Sequence, residues 1–161
     1  MNQEEKVFNL LEQNHINYDV IHHPAAHTVS DIHFDFVGSK VKNLLLKSKN
    51  DNYYLLIIDS EKKADIKNIT KQLAEKKMSF AKSDDLFNLM NLQPGSVTPF
   101  GLINDKQNMV KVLIDSHLDK KASIGFHPNV NTQTIVISFA DFIKSLEIMG
   151  NSYAFIDAHY S

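Results

Sequence analysis

The sequence predicts an α+β fold, a single domain over residues 1–161 with a mixed, largely antiparallel sheet and flanking helices. Three observations lead there. About seven or eight strand-like segments are interspersed with about four or five helical ones. Several neighbouring strands are separated by short polar loops, which join antiparallel partners. Hydrophobic residues make up 43% of the chain and cysteine is absent, so the core must hold without disulfides.

From the N-terminus, residues 4–14 have helical spacing, with Val7, Phe8, Leu10 and Leu11 on the buried side. Residues 18–22 form a short strand that Pro24 breaks. Thr28 followed by Asp31 is a helix start, a hydroxyl cap with an acidic residue three positions on, and that helix runs to about Phe36. Residues 41–47 and 53–59 are strands, and the polar stretch 48–52 between them is a hairpin loop. Ile66, Ile69 and Leu73 mark a helix over 65–75, and Ser83 caps another that ends at Met90. Gln93-Pro94-Gly95-Ser96 is a turn. Residues 100–103 and 109–114 are expected as strands around a turn at Asn104-Asp105, followed by strands at 122–126 and 133–138. Ser138 and Asp141 open a last helix, Gly150 ends it, and 153–156 is the final strand.

Charge narrows the function classes. The net charge is −2, so no whole-molecule field draws in polyanions. A local basic patch that grips one end of an RNA remains open. All 17 basic residues are lysine, so phosphate contacts fall to lysine, backbone N–H and hydroxyl groups, without a bidentate guanidinium. The polar N-terminus is no signal peptide, and no apolar run reaches the roughly 20 residues that span a bilayer. A cytoplasmic protein is expected, with neither membrane nor DNA as partner.

Three segments carry residues that packing alone does not require. In Gly38-Ser39-Lys40-Val41-Lys42-Asn43-Leu44-Leu45-Leu46, alternation puts Lys42 on the face of Leu44 and Leu46. Such a lysine either snorkels from a strand end or sits in a pocket. Pro94-Gly95-Ser96-Val97-Thr98-Pro99-Phe100-Gly101 has two prolines and two glycines in one short loop. It is either a well-formed turn or a rigid cradle whose N–H groups bind an oxygen. His127, within Gly125-Phe126-His127-Pro128-Asn129-Val130-Asn131, either packs structurally or lines a cleft after a strand. The cluster His22, His23 and His27 matches no tight zinc spacing, and neither metal nor cofactor is expected. The sequence has no Gly-x-Ser-x-Gly elbow, Walker loop or Gly-x-Gly-x-x-Gly.

Together, in this order and at this separation, these segments resemble the YbaK/ProX-type aminoacyl-tRNA deacylases. They are most similar to free-standing prolyl-tRNA editing proteins and to the editing domain inserted in many bacterial prolyl-tRNA synthetases. The resemblance runs from the N-terminal helix through His22-His23-Pro24 and Thr28 to the final strand. It implies an editing-domain-like fold and a trans-editing hydrolase of mischarged Ala-tRNA(Pro). Lys42 would be the functional lysine, Gly95 to Pro99 the Gly-x-x-x-Pro loop and His127 the pocket histidine. Thr28, Asn43, Ser96, Val97, Thr98, Pro99, Phe126 and Asn129 would complete the substrate site. His27 stands where many relatives carry an aromatic or aliphatic residue.

The implied chemistry suits these groups. Backbone N–H groups of 95–98 can stabilise charge on the ester carbonyl. Lys42 can hold a phosphate or carbonyl oxygen of the terminal adenosine, as a positioning group and not the base. The free ribose hydroxyl of the tRNA would then help activate the water. A pocket built for proline rejects smaller alanine weakly, because a missing methylene is worth about 1–3 kcal/mol. A second site can exclude proline sterically, with the 95–99 loop and His127 as its wall. The implied partners are the acceptor end of tRNA(Pro) and prolyl-tRNA synthetase. The alternatives are a Cys-tRNA(Pro) or other small aminoacyl-tRNA deacylase, a different esterase, and a non-catalytic aminoacyl-tRNA or synthetase-binding module.

Overall fold

The computed structural model describes residues 1–25 and 36–160. The expected helix from Thr28 lies almost wholly outside them, and Thr28 and His27 are outside them too. The described elements are α1 (Gln3–Gln13), β1 (Asp19–His22), β2 (Val41–Ser48), β3 (Tyr53–Asp59), α2 (Ile66–Gln72), β4 (Met78–Phe80), α3 (Ser83–Met90), β5 (Val110–Asp115), β6 (Ser123–Phe126), β7 (Gln133–Ser138), α4 (Phe139–Met149) and β8 (Tyr153–Ile156). Short 3-10 turns occupy Pro94–Ser96 and Pro99–Asn104.

Two sheets form. One is a three-stranded antiparallel sheet in the order β1-β7-β6. The other has five strands in the order β4-β2-β3-β5-β8, antiparallel across β4-β2-β3 and parallel across β3-β5-β8. The α+β class and the mixed, mostly antiparallel pairing are as the sequence predicts.

The larger sheet buries both faces, which explains its nearly unbroken apolar strands. Val41, Leu45, Leu55, Ile57, Val112 and Ile114 join the main core with α1, α4 and the smaller sheet. Leu46, Tyr54, Leu56, Ile58 and Leu113 pack on the other side around Ile69 of α2. Local signals set the helix ends. Asn2 Oδ1 accepts from the Glu5 N–H at 2.8 Å to start α1. Ser138 Oγ accepts from the Asp141 N–H at 3.1 Å to start α4, and Gly150 closes it at φ 88°.

Three expectations differ. Residues 100–103 are not a strand but part of the Pro99–Asn104 3-10 turn. Pro99 presets φ at its first position, and Thr98 Oγ1 accepts from the Phe100 N–H at 3.4 Å. The run Phe100-Gly101-Leu102 is buried throughout, so its periodicity could not separate strand from helix. The edge strand β4 was not foreseen, because three residues carry too little pattern. The cap of α3 is Lys82, with Ser83 already helical.

One backbone contact joins the two sheets and sets the start of β2 against β6. Ser39 pairs with Ile124 in an isolated parallel bridge, with the Ser39 N–H donating to Ser123 O at 2.7 Å and the Gly125 N–H to Ser39 O at 3.3 Å. Gly38, immediately before, has φ +147°, and a Cβ there would stand 2.6 Å from Ser123 O. Both facts demand glycine. Gly38→Ala is therefore expected to cost roughly 1–3 kcal/mol, read as a lower urea midpoint. A midpoint equal to wild type would show that the bridge tolerates a side chain.

Candidate active site

Starting from the bridge, three residues along each strand lead to Lys42 on β2 and His127 after β6. Both line one cleft of about 300 Å³, together with Asn43, Lys82, Pro94 and Val97. Phe80 and Leu86 add apolar wall.

The cleft exists because β4 is short. It pairs with β2 only from Leu46 to Ser48. The Ala81 N–H donates to Leu45 O at 2.9 Å, and the chain then turns away into α3. Peptide groups two apart on a strand point the same way. Those of Val41 and Asn43 therefore face the same side as Leu45, along an edge that no strand covers among the described residues. Lys42 shares the Leu44 and Leu46 face of β2, as alternation predicts. No carboxylate pairs with it among the described residues.

Asn43 points to the opposite face and reaches the loop. Its Nδ2 donates to Val97 O at 3.3 Å. From the other side Asn129 Nδ2 donates to Phe100 O at 3.4 Å. Asn129 adopts φ +64°, a conformation asparagine tolerates better than most residues. Two amides thus hold the 97–100 backbone between β2 and the turn after β6. Phe126 supports it from below, edge-on to Phe100 at 6.1 Å and against Phe142 at 4.7 Å. The amide Oδ1 atoms of Asn43 and Asn129 are buried and have no protein partner among the described residues.

His127 is only 4% exposed. Its Nδ1 lies 2.9 Å from the Gln133 carbonyl, which can only accept, so Nδ1 carries the proton. Nε2 is then the acceptor of the neutral ring, buried and without a partner among the described residues. Burial pushes the imidazole below its ordinary 6.5; the hydrogen bond to Gln133 works the other way, and neighbouring His23 adds to the lowering. The two rings stand 5.9 Å apart. His23 is itself anchored through Nε2 to Thr134 Oγ1 at 2.9 Å.

The sequence candidates separate into groups. Lys42, Asn43, Val97 and His127 line the cleft. Gly95 and Ser96 lie half-buried in the adjoining turn, where the Ser96 N–H already donates to Gln93 O at 2.9 Å. That amide is committed and is not an oxyanion donor. Thr98 and Pro99 are buried in the loop, and Phe126 and Asn129 stand behind it. Thr28 falls outside the described residues. The contributions of Phe80 and Lys82 were missed. Their only signal was a helix start next to the unforeseen edge strand.

Residues 23–145 match the family model of the aminoacyl-tRNA editing domain. The chain is 33% identical over 161 residues to the prolyl-tRNA editing protein ProX of Acetoanaerobium sticklandii, covering 98% of each. The chain belongs to the aminoacyl-tRNA editing family. Its class of activity is therefore that of an editing hydrolase. It is also 27% identical over 142 residues to the prolyl-tRNA synthetase associated domain-containing protein 1 of Danio rerio, covering 85% of this chain and 77% of the relative. In fold it superimposes on a candidate trans-editing enzyme for prolyl-tRNA synthetase with a TM-score of 0.73 at 16% identity, over 100% of this chain and 99% of the other.

The buried neutral His127 has a pH signature. Unfolding exposes it and restores its ordinary affinity for a proton, so the unfolded chain binds more protons below about pH 6.5. Stability from this group is complete above that pH. It is lost as pH falls toward the lowered native value, with a slope of at most about 1.4 kcal/mol per pH unit. His127→Gln is expected to flatten that part of the profile in urea denaturation between about pH 5 and 8. An unchanged slope would mean that the ring takes up a proton as readily in the fold as in the unfolded chain.

Proposed function

We propose that this protein removes alanine from mischarged Ala-tRNA(Pro) in trans, with the whole chain acting as one editing domain. The observation that carries the reading is that Lys42 and the buried Nε2 of His127 line one small cleft, neither with an ionic or hydrogen-bond partner among the described residues. The substrate is an ester between an amino acid and the terminal ribose. Its hydrolysis adds water to the carbonyl carbon, breaks the bond to the ribose oxygen and returns a proton to that oxygen. Lys42 holds a phosphate or carbonyl oxygen of the terminal adenosine. The unpaired peptide edge of Val41 and Asn43, together with N–H groups of the 95–98 loop other than Ser96, stabilises the oxyanion. His127 Nε2 accepts a hydrogen bond from the substrate amino group. The ribose hydroxyl of the tRNA assists the water, which accounts for a cleft with no carboxylate in its lining among the described residues.

Specificity rests on the wall. Val97 is held by Asn43 and backed by buried Thr98 and Phe100, so it yields little to a bulky ring. Alanine fits where proline meets this wall. The relatives named for prolyl-tRNA editing support tRNA(Pro) as the carrier, with its acceptor end in the cleft, and support prolyl-tRNA synthetase as a docking partner.

Hydrolysis of Ala-, Pro- and Cys-tRNA(Pro) tests the reading. Wild type is expected to deacylate the alanyl form at least about 10-fold faster than the others. Lys42→Ala is expected to lower kcat/KM on it by about 100-fold without loss of folding. Faster release of cysteine would replace the substrate and keep the activity. No hydrolysis of any of the three would favour a non-catalytic binding module.

A further inference from the structure

Away from the cleft, a second group of chemically capable side chains gathers where two parallel strands end. Asp115 closes β5, and His117 lies two residues on. Asp157 and His159 come after β8, which pairs with β5 in parallel. Asp115 is 1% exposed, yet it carries a carboxylate. Its Oδ1 is 3.0 Å from His117 Nδ1 and its Oδ2 is 2.5 Å from His159 Nδ1. One donor atom from each of the three residues falls within 4.8 Å of the others.

We propose that Asp115, His117 and His159 form a site for one divalent transition-metal ion of the zinc class. The donor set is the first argument. Two imidazoles and a carboxylate suit zinc and its neighbours, whereas calcium and magnesium prefer all-oxygen shells. Spacing is the second. Donors about 2.0–2.1 Å from a tetrahedral zinc stand roughly 3.3 Å from one another, and the three donor atoms here all lie within 4.8 Å of one another, so small side-chain rotations bring them to that spacing. Orientation is the third. Both rings turn the same nitrogen, Nδ1, toward one carboxylate, from segments more than 40 residues apart in sequence. The N–H groups of His117 (3.3 Å) and Ala158 (3.4 Å) hold Asp115 Oδ1 in place. Asp157 Oδ1 lies 3.6 Å from His117 Nδ1 on a largely exposed side chain and can close the fourth position.

None of these residues lines the cleft, so the ion takes no part in ester hydrolysis. Its work is structural. It clips the segment after β8 to the end of β5, which otherwise meet through the Ser116 N–H to Ile156 O bond at 2.7 Å and the Asp115 contacts. Access is open, because hollows of about 250 and 200 Å³ reach His117 and His159 from two sides.

Zinc and cobalt(II) are the probes. Chelator-treated protein, titrated with zinc against a chromophoric competitor, is expected to take up one equivalent and to melt at a higher temperature. His117→Ala and His159→Ala are each expected to weaken uptake by about 100-fold and remove the thermal shift. His15→Asn, on an exposed histidine with φ +56°, is expected to change neither. Cobalt(II) is expected to give the intense visible bands of a four-coordinate site in wild type only. Should the variants not fold, anomalous diffraction at the zinc edge of wild type decides, with the peak expected between Asp115 and the two imidazoles. No stoichiometric uptake, uptake undiminished in both folded variants, or a peak elsewhere would overturn the site and leave a histidine–aspartate hydrogen-bond cluster.

Discussion

Everything at the cleft depends on how the start of β2 is held against β6. The two sheets share a core, but the Ser39–Ile124 bridge is where their backbones bond directly. Gly38 makes this possible by adopting a positive φ and leaving room for Ser123 O. From that fixed point the extended geometry of each strand carries Lys42 and His127 to the same cleft. A residue inserted before β2 would turn every side chain of the strand to the other face. Lys42 would then enter the main core, and Asn43 would let go of Val97.

The second constraint is the early end of β4. Continuing its register past Ala81 to residues 83–85 would cover the edge of Asn43 and Val41 and fill the cleft. The chain leaves the sheet at Ala81 instead, and α3 supplies a wall. An exposed sheet edge invites aggregation unless something blunts it. Here Lys42, Lys82 and the 94–97 loop crowd it. The features that protect the edge are also those that line the cleft. Oδ1 of Asn43 and Nε2 of His127 have no partner among the described residues, and such burial is costly. The fold bears that cost at the cleft, where a substrate's donors can meet them.

Local chemistry made much of the fold legible. Capping at Ser138, the polar 48–52 loop and the closing Gly150 each act within a few residues, so pattern reading finds them. The 100–103 run was misread because it is apolar at every position, and only Pro99 and the Thr98 cap distinguish a 3-10 turn from a strand. Lys42, the proline- and glycine-rich 94–101 loop and His127 stood out because each departs from what packing alone would choose. Lys82 and Phe80 did not, since they matter through an edge strand too short to show a period. Asp115 and His159 lie 44 positions apart and meet only through the parallel pairing of β5 and β8. No sequence window contains them both.

A ¹⁵N NMR titration with alanine joined by a stable amide to the 3′ position of 3′-amino-3′-deoxyadenosine tests most directly whether the edge of β2, the 95–98 loop and His127 form one substrate site. Saturable shifts are expected only at the amides of Val41 to Leu45, of Val97 and Thr98, and of His127, accompanied by a change at the His127 ring. Saturable shifts centred elsewhere, with these amides unmoved, would contradict that site.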